Sequence, residues 1–95
     1  MAAAKHQPRP PYSVSFKPQA ERDLKKIKDR RIARRIVDAI TTLGQNPRPP
    51  GVKALQGDTS ILRLPVGDYR ILYTVVDTDL LVLVIALGHR RDVYR

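Results

Sequence analysis

An unbroken apolar run at residues 80–87 (LLVLVIAL) limits what this chain can fold into more than any other feature. The run is far shorter than the roughly 20 residues that a membrane-spanning helix needs. Because apolar side chains fill both its odd and its even positions, it predicts a β-strand that is covered on both faces. A chain of 95 residues has room for one small domain, so we expect this strand inside a single sheet.

Three further segments alternate between apolar and polar residues and predict the other strands. They are residues 12–16 (YSVSF), 61–64 (ILRL) and 69–76 (YRILYTVV). Residues 65–68 (PVGD) and 77–79 (DTD) have turn chemistry, and they join the last three strands into an antiparallel meander. We expect Gly88 to end the last strand.

Apolar residues at helical spacing follow the first strand in two stretches. The first helix begins at Pro18, and the second runs from about residue 30 to residue 43, with Asp29 as its N-cap and Gly44 as its stop. The apolar positions are Ala20, Leu24 and Ile27, then Ile32, Ile36, Val37, Ile40 and Leu43. This pattern predicts an α+β fold with an N-terminal strand and an antiparallel two-helix hairpin packed on a mainly antiparallel four-stranded sheet.

The first residues of the chain differ from the rest. Residues 1–11 hold three closely spaced prolines and no apolar period, which predicts a disordered, proline-rich leader. This segment lacks the apolar core of a signal peptide. Residues 12–95 are expected to form one domain.

Charge gives the clearest compositional signal. Eighteen lysines and arginines stand against nine acidic residues, for a net charge of +9. Such an excess predicts a polyanionic partner such as RNA, DNA, an anionic membrane or an acidic protein. The helices carry much of it, either as a solvated face or as a ridge that tracks phosphates. These helical cations are Arg22, Lys25, Lys26, Lys28, Arg30, Arg31, Arg34 and Arg35.

Composition argues against most catalytic chemistries. The absence of cysteine excludes thiol catalysis and cysteine-ligated metals. Of the two histidines, His6 falls in the predicted leader, which argues against a paired-histidine ribonuclease. Metal-ligand spacing and glycine-rich phosphate loops are missing, so we expect neither a metal nor a cofactor.

The arginines of the second half are placed differently from those of the helices. Arg63 and Arg70 fall in neighbouring predicted strands, where a hairpin can bring them together on one sheet face, and Arg70 shares its face with Leu72 and Thr74. A charged tail at residues 89–95 (HRRDVYR) adds further arginines and a tyrosine. Guanidinium groups match phosphate oxygens and a tyrosine ring stacks on an unpaired base, so this face fits an RNA backbone. Solvated arginines are the alternative.

From residue 12 to residue 95 the chain resembles the RelE/ParE superfamily of type II toxins. The likeness depends on the strand and helical hairpin of the first half and on three motifs. These are residues 52–57 (VKALQG), 67–73 (GDYRILY) and 87–94 (LGHRRDVY). The second motif is the specific signature. The third is typical of the RelE branch, which cleaves messenger RNA on the ribosome, whereas ParE-like members, which poison DNA gyrase, tend to lack it.

The resemblance implies a cytoplasmic, metal-independent endoribonuclease. In such enzymes the ribose 2′-oxygen attacks the adjacent phosphate and leaves a 2′,3′-cyclic phosphate and a 5′-hydroxyl. Arg70 would clamp the phosphate, assisted by Arg63 on the preceding strand. Arg90 would stabilise charge or protonate the leaving group, and Tyr94 would orient or stack the base and share in proton transfer. The implied RNA-binding residues are Lys53, Arg91 and Arg95.

Two features depart from the family pattern. Some members carry two lysines before the signature motif, where this chain has Ile61 and Arg63, and the tail is two residues shorter before Tyr94. A guanidinium stays protonated and is a poor base. His89 is therefore a candidate general base because histidine titrates near neutral pH, with a phosphate or structural contact as its alternative.

The resemblance also implies partners. A RelB-like antitoxin with an amphipathic helix and acidic residues is expected on the helical hairpin or the sheet edge. The implied substrate is messenger RNA in the A site of the 70S ribosome, and no membrane partner is expected. A ParE-like, non-catalytic gyrase inhibitor and an inactive nucleic-acid-binding module remain alternatives.

Overall fold

The computed structural model describes residues 11–89. In chain order its elements are β1 (Ser13–Phe16), α1 (Pro18–Lys26), α2 (Arg30–Gln45), β2 (Lys53–Leu55), β3 (Asp58–Val66), β4 (Tyr69–Val76) and β5 (Leu81–His89). A 3₁₀ turn, Asp77–Asp79, joins β4 to β5. Apart from Pro11, the predicted leader lies outside the described residues, and so does the tail beyond His89.

The five strands form one sheet in the order β1-β5-β4-β3-β2. β1 runs parallel to β5, and all other neighbours are antiparallel. β5 lies between β1 and β4, which confirms the interior position predicted from the apolar run. The α+β class with two helices on a mainly antiparallel sheet is confirmed, but the sheet has one strand more than expected.

The hydrophobic core lies between the helices and one face of the sheet. Its buried residues are Ala20, Ile36, Ile40, Leu43, Ile71, Tyr73, Val82, Val84 and Leu87. Leu72 pairs with Ala86, but Tyr73 pairs with Val84, so β5 carries one extra residue at this point. Because this bulge shifts the alternation of β5 by one position, Leu87 faces the core.

Side chains fix the start of α2 and the position of α1. The Asp29 carboxylate accepts hydrogen bonds from the backbone N–H groups of Arg31 (2.9 Å) and Ile32 (3.4 Å), which confirms the predicted N-cap. From α1, Asp23 accepts a hydrogen bond from the Leu87 N–H at 3.0 Å and so ties α1 to β5 beside the bulge. No helix in residues 11–89 is long and apolar enough to cross a membrane.

Two elements end later than expected. α2 continues through Gly44 to Gln45, because the Asn46 N–H still bonds the Thr42 carbonyl at 3.0 Å. β5 continues through Gly88, which pairs with Arg70 of β4. In both places the helix or strand continues through a glycine because the backbone hydrogen bonds of the element extend past it.

The β3–β4 hairpin is tighter than the sequence predicted. Pro65 and Val66 belong to β3, where Pro65 pairs with Arg70, so the turn consists of Gly67 and Asp68 alone. Gly67 has a φ of +60°, in the left-handed region that a two-residue hairpin turn requires. The hairpin tip therefore lies immediately beside Arg70.

β2 is the strand that the sequence did not predict. Its three residues are too few to display a period-two pattern, and its pairing with β3 becomes visible only in the sheet. Lys53 pairs with Arg63 and Ala54 pairs with Leu62. This pairing also explains why β3 begins at Asp58, earlier than expected.

A polar cluster, the clasp, ties the loop after α2 to the sheet through Tyr12, Pro47, Arg48, Tyr73 and Asp77. The Arg48 guanidinium donates to the two Asp77 carboxylate oxygens at 3.3 and 2.9 Å, and the Tyr12 hydroxyl donates to Asp77 at 2.7 Å. The bonds from Arg48 and then Tyr12 hold the pKa of the Asp77 carboxyl below its ordinary value. The buried Tyr73 hydroxyl donates to the Pro47 carbonyl at 2.6 Å, and burial raises the pKa of Tyr73 to about 12.

Candidate functional site

In the described part of the chain, the helices cover one face of the sheet and leave the other face open. Alternation along β4 directs Ile71 and Tyr73 into the core, so Arg70, Leu72 and Thr74 point to the open face. The expected shared face of these three residues is therefore confirmed.

Three cationic side chains meet at one end of this open face. Arg63 pairs with Leu72, and Arg70 pairs with Pro65 two positions along, so the two arginines are diagonal neighbours on adjacent strands. Lys53 of β2 lies directly opposite Arg63. Together with Gly51 and Pro65, these three line a cleft of about 110 Å³, which we call the cationic cleft.

Regular strands hold the cationic cleft in place. Arg63 and Arg70 are half-buried in β3 and β4, which have neighbours on both sides. Arg70 lies between Pro65 on one side and Gly88 on the other, and neither neighbour has a side chain that could neutralise it. Its guanidinium donates to the adjacent Tyr69 carbonyl at 3.1 Å, which fixes the direction of the side chain.

Positive charge dominates the described lining of the cationic cleft. No carboxylate is among its described lining residues. Lys53 and Arg63 are directly opposed across two strands, an arrangement that destabilises a sheet when no anion is present. Guanidinium groups bind phosphate oxygens through two parallel hydrogen bonds, so the arrangement suits a phosphate of the RNA backbone.

The structure does not bring His89 to this cleft. His89 pairs with Tyr69, and its ring meets the Tyr69 ring edge-on, with centroids 5.7 Å apart and planes at 71°. Tyr69 packs against the core side, whereas Gly88 is the β5 residue beside Arg70 on the open face. Because neighbouring residues in a strand face opposite ways, His89 lies on the helix side of the sheet. The candidate base His89 therefore lies on the opposite face of the sheet from Arg63 and Arg70.

The other site predictions fall outside the described part of the chain. They concern Arg90, Arg91, Tyr94 and Arg95. Of the residues expected at the site, the structure brings together Lys53, Arg63 and Arg70. Within residues 11–89 no group of three or more histidine and carboxylate side chains could hold a metal ion.

Sequence comparisons place these residues in a known family. A model described as "ParE toxin of type II toxin-antitoxin system, parDE" matches residues 14–94. Toxin RelG of Mycobacterium tuberculosis is 35% identical over 88 residues, which cover 90% of this chain and 98% of the relative. A putative RelE-like toxin protein of Escherichia coli is 31% identical over 87 residues, which cover 87% of this chain and 90% of the relative.

The fold agrees with solved structures of this kind. The toxin–antitoxin complex RelBE2 of Mycobacterium tuberculosis contains a chain that superposes on this one with a TM-score of 0.74 and 30% identity. The match covers 90% of this chain and 98% of that one. The likeness therefore spans the helices, the sheet and the cationic cleft.

Proposed function

Since this chain belongs to the RelE/ParE superfamily of type II toxins, we propose that it cleaves messenger RNA on the ribosome. The observation that carries the proposal is the convergence of Lys53, Arg63 and Arg70 in one cleft. Of the two relatives named above, one is Toxin RelG and the other is described as RelE-like. Both names favour the RelE branch of the superfamily. The proposed site of action is the A site of the 70S ribosome, in the cytoplasm.

In the proposed reaction the ribose 2′-oxygen attacks the adjacent phosphorus, and the bond to the 5′-oxygen of the next nucleotide breaks. The products are a 2′,3′-cyclic phosphate and a 5′-hydroxyl. Arg70 and Arg63 clamp the scissile phosphate and stabilise the negative charge that grows on its oxygens. Because both arginines are held by strands, little reorganisation is needed when that charge develops.

The reaction also needs a base for the 2′-hydroxyl and an acid for the leaving oxygen. Guanidinium groups do not release protons, so Lys53 is the described cleft residue that can exchange one. Lys53 lies directly opposite Arg63, which occupies a position where some family members carry a lysine. We assign the proton exchange at the cleft to Lys53, and keep Arg90 as a predicted source of charge stabilisation and Tyr94 as a predicted participant in proton transfer, both from the tail.

The chemistry of the cut ends tests the proposal. Purified toxin is mixed with ribosomes programmed with a defined messenger, and the new RNA ends are mapped and labelled. We expect 3′ ends bearing cyclic or linear phosphate and 5′ ends bearing a hydroxyl, in the A-site codon. Fragments with 5′-phosphate ends would exclude attack by the 2′-oxygen.

A second candidate function is inhibition of DNA gyrase without catalysis, which the match to the ParE family model favours. The same toxin preparation is therefore added to a gyrase supercoiling assay. Inhibited gyrase with an intact messenger selects this second function. RNA binding without either effect identifies an inactive nucleic-acid-binding module.

A RelB-like antitoxin is the proposed neutralising partner. An apolar groove of about 610 Å³ lies between β1 and α2 and is lined by Val14, Phe16, Val37 and Ile40. The Val37 side chain is 42% exposed there, and the cations of α2 lie on the same helix. A partner helix with an apolar stripe and acidic flanks would bury the groove and neutralise these cations.

Substitution in this groove tests the partner. Val37→Lys places a charge in the interface, and we expect about tenfold or weaker binding of the antitoxin encoded beside the toxin. Thr59→Lys adds the same charge at an exposed position of β3, away from the groove, and serves as the control. Equal capture of both variants would place the antitoxin elsewhere.

A further inference from the structure

A second cleft with different chemistry lies on the helix side of the sheet. It has a volume of about 360 Å³ and is lined by residues that include Ile32, Arg35, Gly67, Asp68, Tyr69 and His89. We call it the aromatic cleft. Its volume falls within the range of about 300–1,000 Å³ that is typical of small-ligand sites.

The walls of the aromatic cleft suit a nucleotide. Tyr69 and His89 stand nearly perpendicular, so one ring can stack on a flat base while the other closes its edge. The Arg35 guanidinium lies over the hairpin tip, and its Nη1 is 3.5 Å from the position that a Cβ would take at Gly67. Within residues 11–89 no hydrogen bond or ion pair occupies that guanidinium, so it is available to a phosphate. The carboxylate of Asp68 can accept from amino groups on a base edge.

The two clefts lie on either side of the same hairpin tip. Pro65 and Arg70 line the cationic cleft, and the next pair towards the tip, Val66 and Tyr69, lines the aromatic cleft. Only Gly67 and Asp68 lie between these strands at the tip. An extended RNA strand can therefore pass over the tip from one cleft to the other.

We propose that the aromatic cleft binds one nucleotide of the single-stranded RNA whose neighbouring phosphate lies in the cationic cleft. Its base stacks in the Tyr69–His89 corner, and its phosphate pairs with Arg35. This inference rests on the proposed function, because it takes RNA as the substrate. It assigns His89 a role in holding a base.

Binding of short RNA measures this site without cleavage. The probe is a fluorescent pentanucleotide RNA, compared by anisotropy with versions in which one nucleotide at a time is abasic. The protein is the wild-type toxin, because the proposed cleavage takes place on the ribosome and the probe is free RNA. We expect one abasic position to weaken binding between about 5-fold and about 150-fold, the range for loss of one stacked base.

Variants locate the effect. The abasic penalty is the factor by which removal of one base weakens RNA binding. We expect His89→Ala to reduce this penalty at the one sensitive position, whereas Tyr69→Phe keeps the aromatic ring and should keep the penalty. Arg35→Ala is expected to weaken binding of the intact RNA more than Arg34→Ala, which removes the same charge one residue away and outside the cleft. The comparison between these two arginines therefore separates a local contact from overall charge.

Distinct results would overturn this inference and the proposed function. If every abasic RNA binds as well as the intact one, or if no RNA binds, the aromatic cleft is not a nucleotide site, even where the wild-type toxin cuts messenger on ribosomes. If the abasic penalty and its loss in His89→Ala are found but the messenger stays intact, the nucleotide site stands and the endoribonuclease proposal fails.

Discussion

The clasp and the cationic cleft both gather charged side chains, but the clasp pairs a cation with a carboxylate, whereas the described lining of the cleft holds cations and no carboxylate. In the clasp, Arg48 meets both carboxylate oxygens of Asp77, which also accepts a hydrogen bond from Tyr12. In the cationic cleft, Arg63 and Arg70 lie with Lys53 and no described carboxylate in the lining. The clasp ties a loop to the sheet, whereas the cleft presents a cationic lining on the open face.

This difference separates a structural arginine from a binding arginine. Because Arg48 and Asp77 neutralise each other, the clasp holds the loop without a ligand. Opposed cations on neighbouring strands cost stability, and an anionic ligand offsets that cost when it binds. We therefore expect substitutions in the cleft to change activity and substitutions in the clasp to change stability.

We expect the largest difference, in the rate of messenger cleavage, between Arg70→Ala and Arg48→Ala. Loss of one preorganised group that stabilises developing charge costs about 10²–10³ in rate, so folded Arg70→Ala should cleave messenger that much more slowly in single-turnover assays on ribosomes. Arg48→Ala removes the same charge from the clasp and should cleave at close to the wild-type rate. Circular dichroism establishes that both variants are folded. Equal rates for the two variants would remove the distinction between cleft and clasp.

Substitutions of Lys53 test whether this cleft residue exchanges a proton or supplies charge alone. If Lys53 exchanges a proton, then Lys53→Arg and Lys53→Met should both lose about 10² in cleavage rate, because arginine keeps the charge but not the exchange. RNA binding should be retained in Lys53→Arg and weakened in Lys53→Met. A Lys53→Arg variant that cleaves normally would reduce the role of Lys53 to charge alone.

Tyr73→Phe tests the clasp side and should have the smallest effect. It removes the buried bond to the Pro47 carbonyl, which should lower the free energy of unfolding by about 1 kcal/mol in urea titrations and leave cleavage unchanged.

The same variant has a pH signature. Since the folded pKa of Tyr73 is about 12 and the unfolded reference is 10.0, its contribution to stability is complete below pH 10 and is lost as the pH rises towards 12. The wild type should therefore lose more stability than Tyr73→Phe across that interval. Parallel losses in the two proteins would show that Tyr73 has the same pKa in the folded and unfolded states.

Most of the fold could be predicted because its signals are local. The apolar run of β5, the alternation in β1 and β4, and the Asp29 cap each depend on neighbouring residues, and each prediction was confirmed. The errors concern features that depend on pairing. β2 is too short to have a pattern, and Gly44 and Gly88 continue their elements because distant or neighbouring backbone supplies hydrogen bonds.

The sequence predicted part of the site, and His89 shows which part it could not predict. The nearness of Arg63 and Arg70 followed from their places in adjacent strands and is confirmed by their register. The face of His89 depends on the bulge in β5, which shifts the alternation of that strand by one position, and a one-residue shift reverses the direction of a side chain. Lys53 was implied as an RNA-binding residue by the family resemblance, and its pairing with Arg63 places it at the cleft.

The sequence by itself determined the excess of positive charge, the helical stripes, the interior strand and the motif around Arg70, because each is a property of residue types and their spacing. Tertiary structure decided which cations share a face, which arginine meets a carboxylate and which ring lies on which side of the sheet. These outcomes depend on strand register, on the bulge beside Leu72 and on contacts between residues far apart in the chain, such as Arg48 and Asp77. No local pattern encodes them, since a shift of one residue exchanges the two faces of a strand.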